Sequence, residues 1–215
     1  MAMLSKQDLK KGFPDLYTDR LKLRRLTAQD VEIWWECASD PQVMKYLYGA
    51  KESKEYQSLQ PDRLGRRVEE AFRSLSSMHF AITSKDDGTL YGVCSFQRWD
   101  ERAARAEIGF ALCRSHWGRG YAAEASSRMV DFGFEDMGLS HIVGRCHADN
   151  ALSQRVLEKN GMRPQQPSSN AGIQSYWEEM GIMIYSIAHT EYLLRKERAA
   201  SHTHSQERSG GASSS

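Results

Sequence analysis

The stretch HWGRGYAAEA, residues 116–125, places two glycines one residue apart where an amphipathic helix begins. Glycine is about 1 kcal/mol less favourable than alanine in a helix, so a pair of them at a helix start needs a reason. A tight turn needs one glycine and explains the second poorly. Bare backbone at this position also lets a phosphate reach the first amides, which have no intrahelical partner. The spacing therefore favours a phosphate-binding loop at Gly118 and Gly120.

Two other phosphate-binding motifs fit this loop less well. GRGYAA formally matches the GxGxxA pattern of a dinucleotide site, but that motif opens the first strand–helix–strand unit of a chain directly after an apolar strand. Here the polar residues Arg114, Ser115 and His116 intervene. A Walker loop requires GK[ST], which does not occur in the sequence. The simple turn and the dinucleotide site remain open alternatives for this loop.

Length and charge exclude several classes of protein. The chain has 215 residues, which predicts one domain with a core that needs no disulfide or metal. Its 29 basic and 28 acidic residues give a net charge of +1, whereas general nucleic-acid binding requires a basic surplus. No apolar run approaches the ~20 residues of a membrane span, and the first residues lack an apolar signal segment. We expect a soluble, cytoplasmic protein with no nucleic-acid or membrane partner.

The four cysteines, at positions 37, 94, 113 and 146, are widely spaced. They form no CxxC pair and match no histidine pattern of a zinc site. Several lie in apolar, strand-like segments, where a buried thiol behaves as a small hydrophobic side chain. We therefore expect reduced cysteines and no bound metal.

Hydrophobic periodicity predicts a mixed α/β domain that begins with an antiparallel meander. LKLRRL (residues 21–26) is a first strand, and TAQD after it resembles a capping box that starts a helix. A helix over about Arg63–Leu75 follows a helical turn at QVMKYL. HFAIT, the turn KDDGT and LYGVCSFQRW then form a hairpin, and AEIGFALC is a further strand with apolar residues on one face.

The second half of the chain alternates helices and strands. An amphipathic helix runs from the glycine loop to about Met137, and HIVGRCH is the next strand. Asn150 caps another helix, which Gly161 closes. A last strand spans about Ile182–His189. Strand–helix–strand order implies one parallel pair of strands.

Composition sets the predicted boundaries of the domain. From Arg198 the sequence RAASHTHSQERSGGASSS is too poor in apolar residues to repay the entropy of ordering. We predict an N-terminal extension over residues 1–17, one domain over residues 18–197 and a disordered tail over residues 198–215.

Two motifs at matching spacing resemble a known family. EIGFALCRSHWGRGYAAEA followed by NALSQRVLEKNGM is similar to the GNAT superfamily of acyl-CoA-dependent N-acetyltransferases. The ribosomal-protein-alanine N-acetyltransferase branch is most alike, since its members combine WGxGYAxEA with NxxSxxVLEKxGF. TDRLKLRRLTAQD and DPQVMKYL are also similar, so the resemblance runs from about Thr18 to Leu194. It implies a single-domain GNAT fold, with a mixed, largely antiparallel sheet, that transfers acetyl from acetyl-CoA to a primary amine without a metal.

The resemblance also implies which residues bind the co-substrate. Loop amides would hold the pyrophosphate, a strand end would pair with the pantetheine, and two residues of the next helix would contact it from the far side. Trp117 replaces the usual Gln or Arg of the loop motif, which matters little if the backbone does the binding. The implied residues are Phe110, Ala111, Leu112, Trp117, Gly118, Arg119, Gly120, Tyr121, Ala122, Ala123, Asn150 and Ser153. Simpler roles exist for the last two, because Asn150 is a good N-cap and Ser153 is tolerated in a first turn.

The catalytic candidates are Glu107 and Ser153. Glu107 lies in the strand beside the expected acetyl site and is the candidate base, directly or through a water as is proposed for such carboxylates in the family. Pairing with Arg105 or Arg145 would instead make it merely structural. Many family members have a tyrosine acid seven positions after the asparagine, but Leu157 stands there and cannot donate a proton. Ser153 is the remaining acid, as in the branch that the sequence resembles, or it only orients the sulfur. A backbone amide near Ala111 or Leu112 would hold the oxyanion.

The acceptor is the least defined part. An α-amine has a pKa near 8 and a lysine amine near 10.4, so an enzyme without a strong base favours an α-amine. We expect a protein N-terminal α-amine, with a small amine (an amino acid, a polyamine or an amino-sugar antibiotic) or a non-catalytic acyl-CoA-binding module as alternatives, and a monomer or homodimer. Large aromatic residues could line the acceptor site, although packing is the commoner role: Trp34, Trp35, Tyr46, Trp99, Tyr176 and Trp177.

Overall fold

An eight-stranded mixed sheet organises the part of the chain that this computed structural model describes, residues 3–47, 61–165 and 180–210, with side chains to Ser201. Its strands are β1 (Leu16–Tyr17), β2 (Leu21–Arg25), β3 (Ser77–Ser84), β4 (Leu90–Asp100), β5 (Arg105–Leu112), β6 (His141–His147), β7 (Arg163–Pro164) and β8 (Ile182–Ala188). The helices are α1 (Lys6–Lys11), α2 (Ala28–Ala38), α3 (Pro41–Leu47), α4 (Pro61–Ser74), α5 (Tyr121–Glu135), α6 (Ala151–Lys159) and α7 (His189–Gly210), with a 3-10 turn at Arg114–His116. The predicted α/β class is confirmed.

The order of strands in the sheet is β1-β2-β3-β4-β5-β6-β8-β7. Every described pair is antiparallel except β5 and β6, which run parallel. The helix between these two strands, α5, is the crossover connection that a parallel pair requires. The predicted meander and the predicted parallel pair are therefore both confirmed.

Two apolar cores cover the two faces of the sheet. Alternating residues of the strands, such as Phe80, Phe96 and Ile108, pack with Met129 of α5 on one face. On the other face, Trp34 of α2 packs over smaller strand residues in the second core. Trp34 and Trp99 are both almost fully buried, so packing accounts for these two of the six aromatic candidates. Tyr176 and Trp177 lie outside the described residues.

The predicted helix starts are confirmed where the structure shows their hydrogen bonds. Asp30 accepts a hydrogen bond from the backbone amide of Thr27 at 2.9 Å, as the third residue of a capping box does, and a further one from the Thr27 hydroxyl at 2.8 Å. The Asn150 side chain accepts one from the backbone amide of Ser153 at 3.1 Å. Gly161, after α6, has φ +81°, which suits the glycine that ends a helix.

The predicted N-terminal boundary needs correction. Residues before Thr18 form α1 and β1, and β1 pairs with β2. The side chains of Leu9 and Leu16 are buried in the larger core. The packed fold therefore begins before residue 18, because apolar side chains of this segment are part of the core.

The C-terminal boundary is not marked by a change of secondary structure. α7 continues past Arg198 to Gly210, although the described side chains from Leu193 to Ser201 are all exposed. Tyr192 anchors the start of this helix, because its hydroxyl shares its proton between Asp131, at 2.7 Å, and Glu135. That residues 198–215 add nothing to the packing stays a prediction.

Candidate active site

The glycine loop lies between the end of β5 and the start of α5. Gly118 and Gly120 have φ values of +75° and +81°, a region that favours glycine. A Cβ on Gly118 would meet nothing within 4 Å, and a Cβ on Gly120 would meet only Arg20 Nη2, at 3.5 Å. The first hydrogen bond of α5 is donated by Glu124 to Gly120, which leaves the amides of Tyr121, Ala122 and Ala123 without an intrahelical partner. The loop therefore presents open backbone donors at a positive helix end.

Side chains on both sides fix the conformation of the loop. Trp117 donates a hydrogen bond from Nε1 to the carbonyl of Leu112 at 2.8 Å, which ties the loop to the end of β5. Arg20, from the turn between β1 and β2, donates from Nη1 to the carbonyl of Arg119 at 3.1 Å. Trp117 thus holds the loop with its indole, which explains how it replaces a Gln or Arg without losing the turn.

β5 and β6 separate beside this loop. Their parallel pairing runs from Arg105 with His141 to Ile108 with Gly144, and no pair is formed after Ile108. β4 continues to pair with β5 as far as Leu112. The backbone of residues 109–112, which includes the predicted Phe110, Ala111 and Leu112, therefore has one edge without a strand partner in the described sheet. Such an edge accepts an extended ligand by strand addition.

α6 borders the gap from the other side. Asn150 is its N-cap and is almost fully buried, while Ser153 is half-buried in the first turn. The Ser153 hydroxyl makes no hydrogen bond within the described residues. Leu157 is fully buried, and a Cβ on Gly144 of β6 would lie 2.5 Å from its Cδ2 atom. Leu157 is therefore a packing residue against β6, and the usual tyrosine acid has no counterpart at this position.

Glu107 lies one residue before the separation of β5 and β6 and is 14% exposed at its side chain. Its Oε2 atom contacts Arg98 Nη1 at 2.5 Å and Arg145 Nη1 at 3.1 Å. The expected pairing with Arg145 is present, whereas Arg105 takes no part and Arg98 does. Both guanidiniums engage the same oxygen, so Oε1 receives no hydrogen bond from the described residues. This carboxylate is held in place with one oxygen available.

The short helix α3 lies near the separated strands β5 and β6. Lys45 forms an ion pair with Asp149 at 2.8 Å, and the Tyr46 ring lies 6.4 Å from that of His147. Both partners belong to the end of β6 or the turn after it. Tyr46, one of the aromatic candidates, therefore lies beside the end of β6. α3 also contacts β5, the strand that carries Glu107.

A disulfide between Cys37 of α2 and Cys113 after β5 corrects the expectation that these cysteines are reduced. Their Cα atoms lie 4.8 Å apart although the residues are separated by 76 positions. The prediction failed because spacing in the sequence does not show that α2 packs beside the end of β5. Cys94 and Cys146 are free and buried, as predicted, and burial raises the pKa of their thiols to about 12 and about 11.

Several residues that stabilise the loop were not predicted. Glu124 accepts hydrogen bonds from Thr18 at 2.6 Å and from Arg20. Ser126 of α5 accepts one from Asn160 at the end of α6, at 2.6 Å, in a buried contact. Glu124 stands within the quoted loop motif, but no local signal identifies partners about a hundred residues earlier.

The comparisons with known proteins agree with this geometry. The family described as acetyltransferase (GNAT) domain matches residues 20–163. The uncharacterised N-acetyltransferase YoaA of Bacillus subtilis (strain 168) is 33% identical over 151 residues, 70% of this chain and 84% of that protein. A ribosomal-protein-serine acetyltransferase of Escherichia coli (strain K12) is 34% identical over 82 residues, 38% of this chain and 45% of that protein.

A solved structure shares the fold. The spermidine N-acetyltransferase of Vibrio cholerae, in complex with CoA and spermine, aligns with a TM-score of 0.66 and 17% identity, over 82% of this chain and 99% of that one. Because the family match spans well over half of the sequence, the chain belongs to the GNAT family of acetyltransferases. It is an acetyl-CoA-dependent N-acetyltransferase.

Within residues 3–47, 61–165 and 180–201, no three His, Cys, Asp or Glu side chains come close enough together to hold a metal ion. None of the described helices is both long and apolar enough to cross a membrane.

Proposed function

We propose that this enzyme transfers the acetyl group of acetyl-CoA to the α-amine of a protein N-terminus. The observation that carries the proposal is Glu107, which keeps one carboxylate oxygen available beside the point where β5 and β6 separate. Acetyl-CoA supplies the activated acetyl group. The chain must bind that substrate, orient the amine and accept its proton.

The open loop supports the binding of the pyrophosphate. The space above Gly118 is empty, the space above Gly120 holds only Arg20 Nη2, and unpaired amides follow at residues 121–123. The pantetheine would lie along the free edge of residues 109–112, with Asn150 and Ser153 on the opposite side. These are the residues predicted from the sequence, and their arrangement around one gap is what the proposal requires.

The environment of Glu107 favours an acceptor that is easily deprotonated. Two guanidiniums contact its Oε2, so only Oε1 is free to accept a hydrogen bond from an amine or an intervening water. An α-amine titrates about 2.4 pH units below a lysine amine, which corresponds to about 3 kcal/mol less work for the base. Glu107 is then sufficient as a weak base for an α-amine.

The charges around Glu107 argue against a polyamine as the preferred acceptor. Arg98 and Arg145 bring two positive charges to a single carboxylate. A substrate with several ammonium groups would be repelled there, since unlike charges favour and like charges oppose close approach. The shared fold of the spermidine enzyme therefore does not by itself assign spermidine to this chain.

A panel of acceptors tests the proposal by measuring release of the CoA thiol. We expect peptides with a free N-terminus to be acetylated with a kcat/KM at least about tenfold above that of N-terminally blocked, lysine-containing peptides, because lysine is the harder amine to deprotonate. Spermidine and amino-sugars serve as small-amine controls. A preference for any of these controls would overturn the assignment of an N-terminal α-amine as the acceptor. Tight CoA binding with no turnover at all would indicate a non-catalytic acyl-CoA-binding module.

The same assay on Glu107→Gln tests the role of the carboxylate. We expect a lower rate at pH 7 that recovers toward the wild-type rate above about pH 8, where the α-amine is neutral without a base. The KM for acetyl-CoA should not change. An equal deficit at every pH would mean that Glu107 only pairs with its arginines.

A further inference from the structure

We infer that Arg20, with Thr18 and Glu124, positions the cofactor loop and controls affinity for acetyl-CoA rather than the rate of transfer. We call these three residues the Arg20 clamp. The inference rests on the proposed binding of the pyrophosphate at the loop. It concerns a turn between β1 and β2 that lies about a hundred residues before the loop in sequence.

The Arg20 clamp holds the loop through both side chain and backbone. Arg20 donates from Nε to Glu124 Oε2 at 2.7 Å, and its Nη2 lies 2.5 Å from the same oxygen. The other oxygen, Oε1, accepts hydrogen bonds from the Thr18 hydroxyl at 2.6 Å and from the Arg20 amide at 3.1 Å. A fourth donor of Arg20, Nη1, reaches the carbonyl of Arg119 at 3.1 Å. Arg20 thus contacts both the residue before Gly120 and the first turn of α5.

Three neighbouring aromatic side chains pack beside the same loop. The Arg20 guanidinium lies 4.5 Å from the centre of the Tyr121 ring. Tyr121 contacts Tyr91 at the start of β4, with ring centres 4.7 Å apart, and Tyr91 stacks on His116 at 4.1 Å. His116 and Tyr121 flank the glycines, so both ends of the loop rest on one strand of the sheet. Arg20 takes part in both the ring contacts and the ion pair, so its removal would weaken the two together.

Charge gives the Arg20 clamp a second effect. Burial alone raises the pKa of Glu124, but hydrogen bonds from Thr18 and Arg20 more than offset this, so the net pKa is lowered and the group is ionised at neutral pH. An ionised carboxylate in the first turn of α5 would repel a pyrophosphate that binds there. The Arg20 guanidinium offsets that charge, and its Nη2 would lie 3.5 Å from a Cβ on Gly120. Removing Arg20 should therefore loosen the loop and expose the negative charge together.

The test measures CoA affinity by calorimetry and acetyl transfer by steady-state kinetics. For Arg20→Gln we expect the Kd for CoA and the KM for acetyl-CoA to rise about 10- to 30-fold, with kcat at saturation within about threefold, because the lost contacts bind the ground state and the transition state alike. Arg20→Lys keeps the charge but not the fork of donors, so a rise of about threefold to fivefold is expected. The double variant Arg20→Gln/Glu124→Gln removes the uncompensated charge and should recover to within about fivefold of wild type.

Lys22→Gln is the matched control. Lys22 lies on β2, two residues from Arg20, and forms a 2.7 Å ion pair with Asp15 that does not involve the loop. The Kd for CoA and the KM for acetyl-CoA of this variant should equal those of the wild type. The inference is overturned if Arg20→Gln binds CoA as the wild type does, if kcat falls while KM is unchanged, or if the double variant binds no better than the single one. Failure of the wild type to bind CoA would instead overturn the proposed function.

Discussion

The proposed cofactor side of the gap, at the glycine loop, and the proposed acceptor side, around Glu107, are built in different ways. On the cofactor side, the site is a nearly continuous segment from β5 into α5, and its chemistry is that of backbone amides held open by two positive-φ glycines. On the acceptor side, three different strands contribute Arg98, Glu107 and Arg145, whose side chains meet at one carboxylate oxygen. A site made of backbone is specified locally, whereas a site made of side chains depends on how remote strands align.

A local irregularity of β4 sharpens this contrast. The register between β4 and β5 shifts between Gln97 and Asp100, and Arg98 has φ +49°. A non-glycine residue with positive φ is uncommon, and a bulge re-aims the side chain that it carries. The side chain of Arg98 reaches Glu107 from this position. The acceptor side therefore depends on a bulge in β4 that no sequence motif predicts.

The disulfide ties α2 to the segment before the glycine loop and gives the largest expected effect on stability. It links Cys37 of α2 to Cys113, directly after β5. A crosslink over a separation of 76 residues removes about 4.5 kcal/mol of chain entropy from the unfolded state in the loop-closure treatment. We expect reduction to lower the free energy of unfolding, measured by urea titration, by up to about that amount.

The double variant Cys37→Ser/Cys113→Ser is the control for reduction. It should unfold at the same urea concentration with and without reductant, since Cys94 and Cys146 are already free. Alkylation of the unreduced wild type under denaturing conditions should label two cysteines. Labelling of all four cysteines would show that Cys37 and Cys113 are not bonded to each other.

The sequence was sufficient for most of the fold and for the position of the glycine loop. Period-two strands, the Thr27 capping box and the glycines of the loop are local signals, and each appears where it was expected. The Cys37–Cys113 bond and the Arg20 clamp join residues 76 and about a hundred positions apart, so only the folded chain brings them together. The packed residues before Thr18 were missed because a six-residue helix and a two-residue strand carry almost no periodicity.

Gly120→Glu tests the cofactor side at its least tolerant position. The substitution forces a side chain into a φ of +81° and adds a negative charge where the pyrophosphate is proposed to bind. We expect the Kd for acetyl-CoA, measured by calorimetry, to rise by about 100-fold or more, equivalent to about 2.7 kcal/mol. The acceptor side should keep its structure.

Gly88→Glu separates backbone strain from loss of the binding site. Gly88 lies in the turn between β3 and β4, has φ +75°, and a Cβ there would meet nothing within 4 Å. Gly88→Glu introduces the same kind of backbone strain as Gly120→Glu, but outside the glycine loop. The affinity of the Gly88→Glu variant for acetyl-CoA should therefore match that of the wild type. Equal weakening of both variants would mean that strain alone is being measured and that the loop is not the phosphate site.

Ser153 lies in the first turn of α6, which borders the gap, and its substitution should have the smallest effect of the three. With Leu157 buried in the tyrosine position, the Ser153 hydroxyl is the remaining motif group that could protonate the departing thiolate, although solvent could also do so. We expect Ser153→Ala to lower kcat by about 10- to 100-fold, below the largest general-acid effects of roughly 10⁴. The KM for acetyl-CoA should rise only modestly, because the backbone amides of the loop provide most of the binding. Ser127→Ala, at an exposed position on α5, should change neither constant. A raised KM with intact kcat would place Ser153 entirely on the cofactor side, as a residue that holds the substrate and moves no proton.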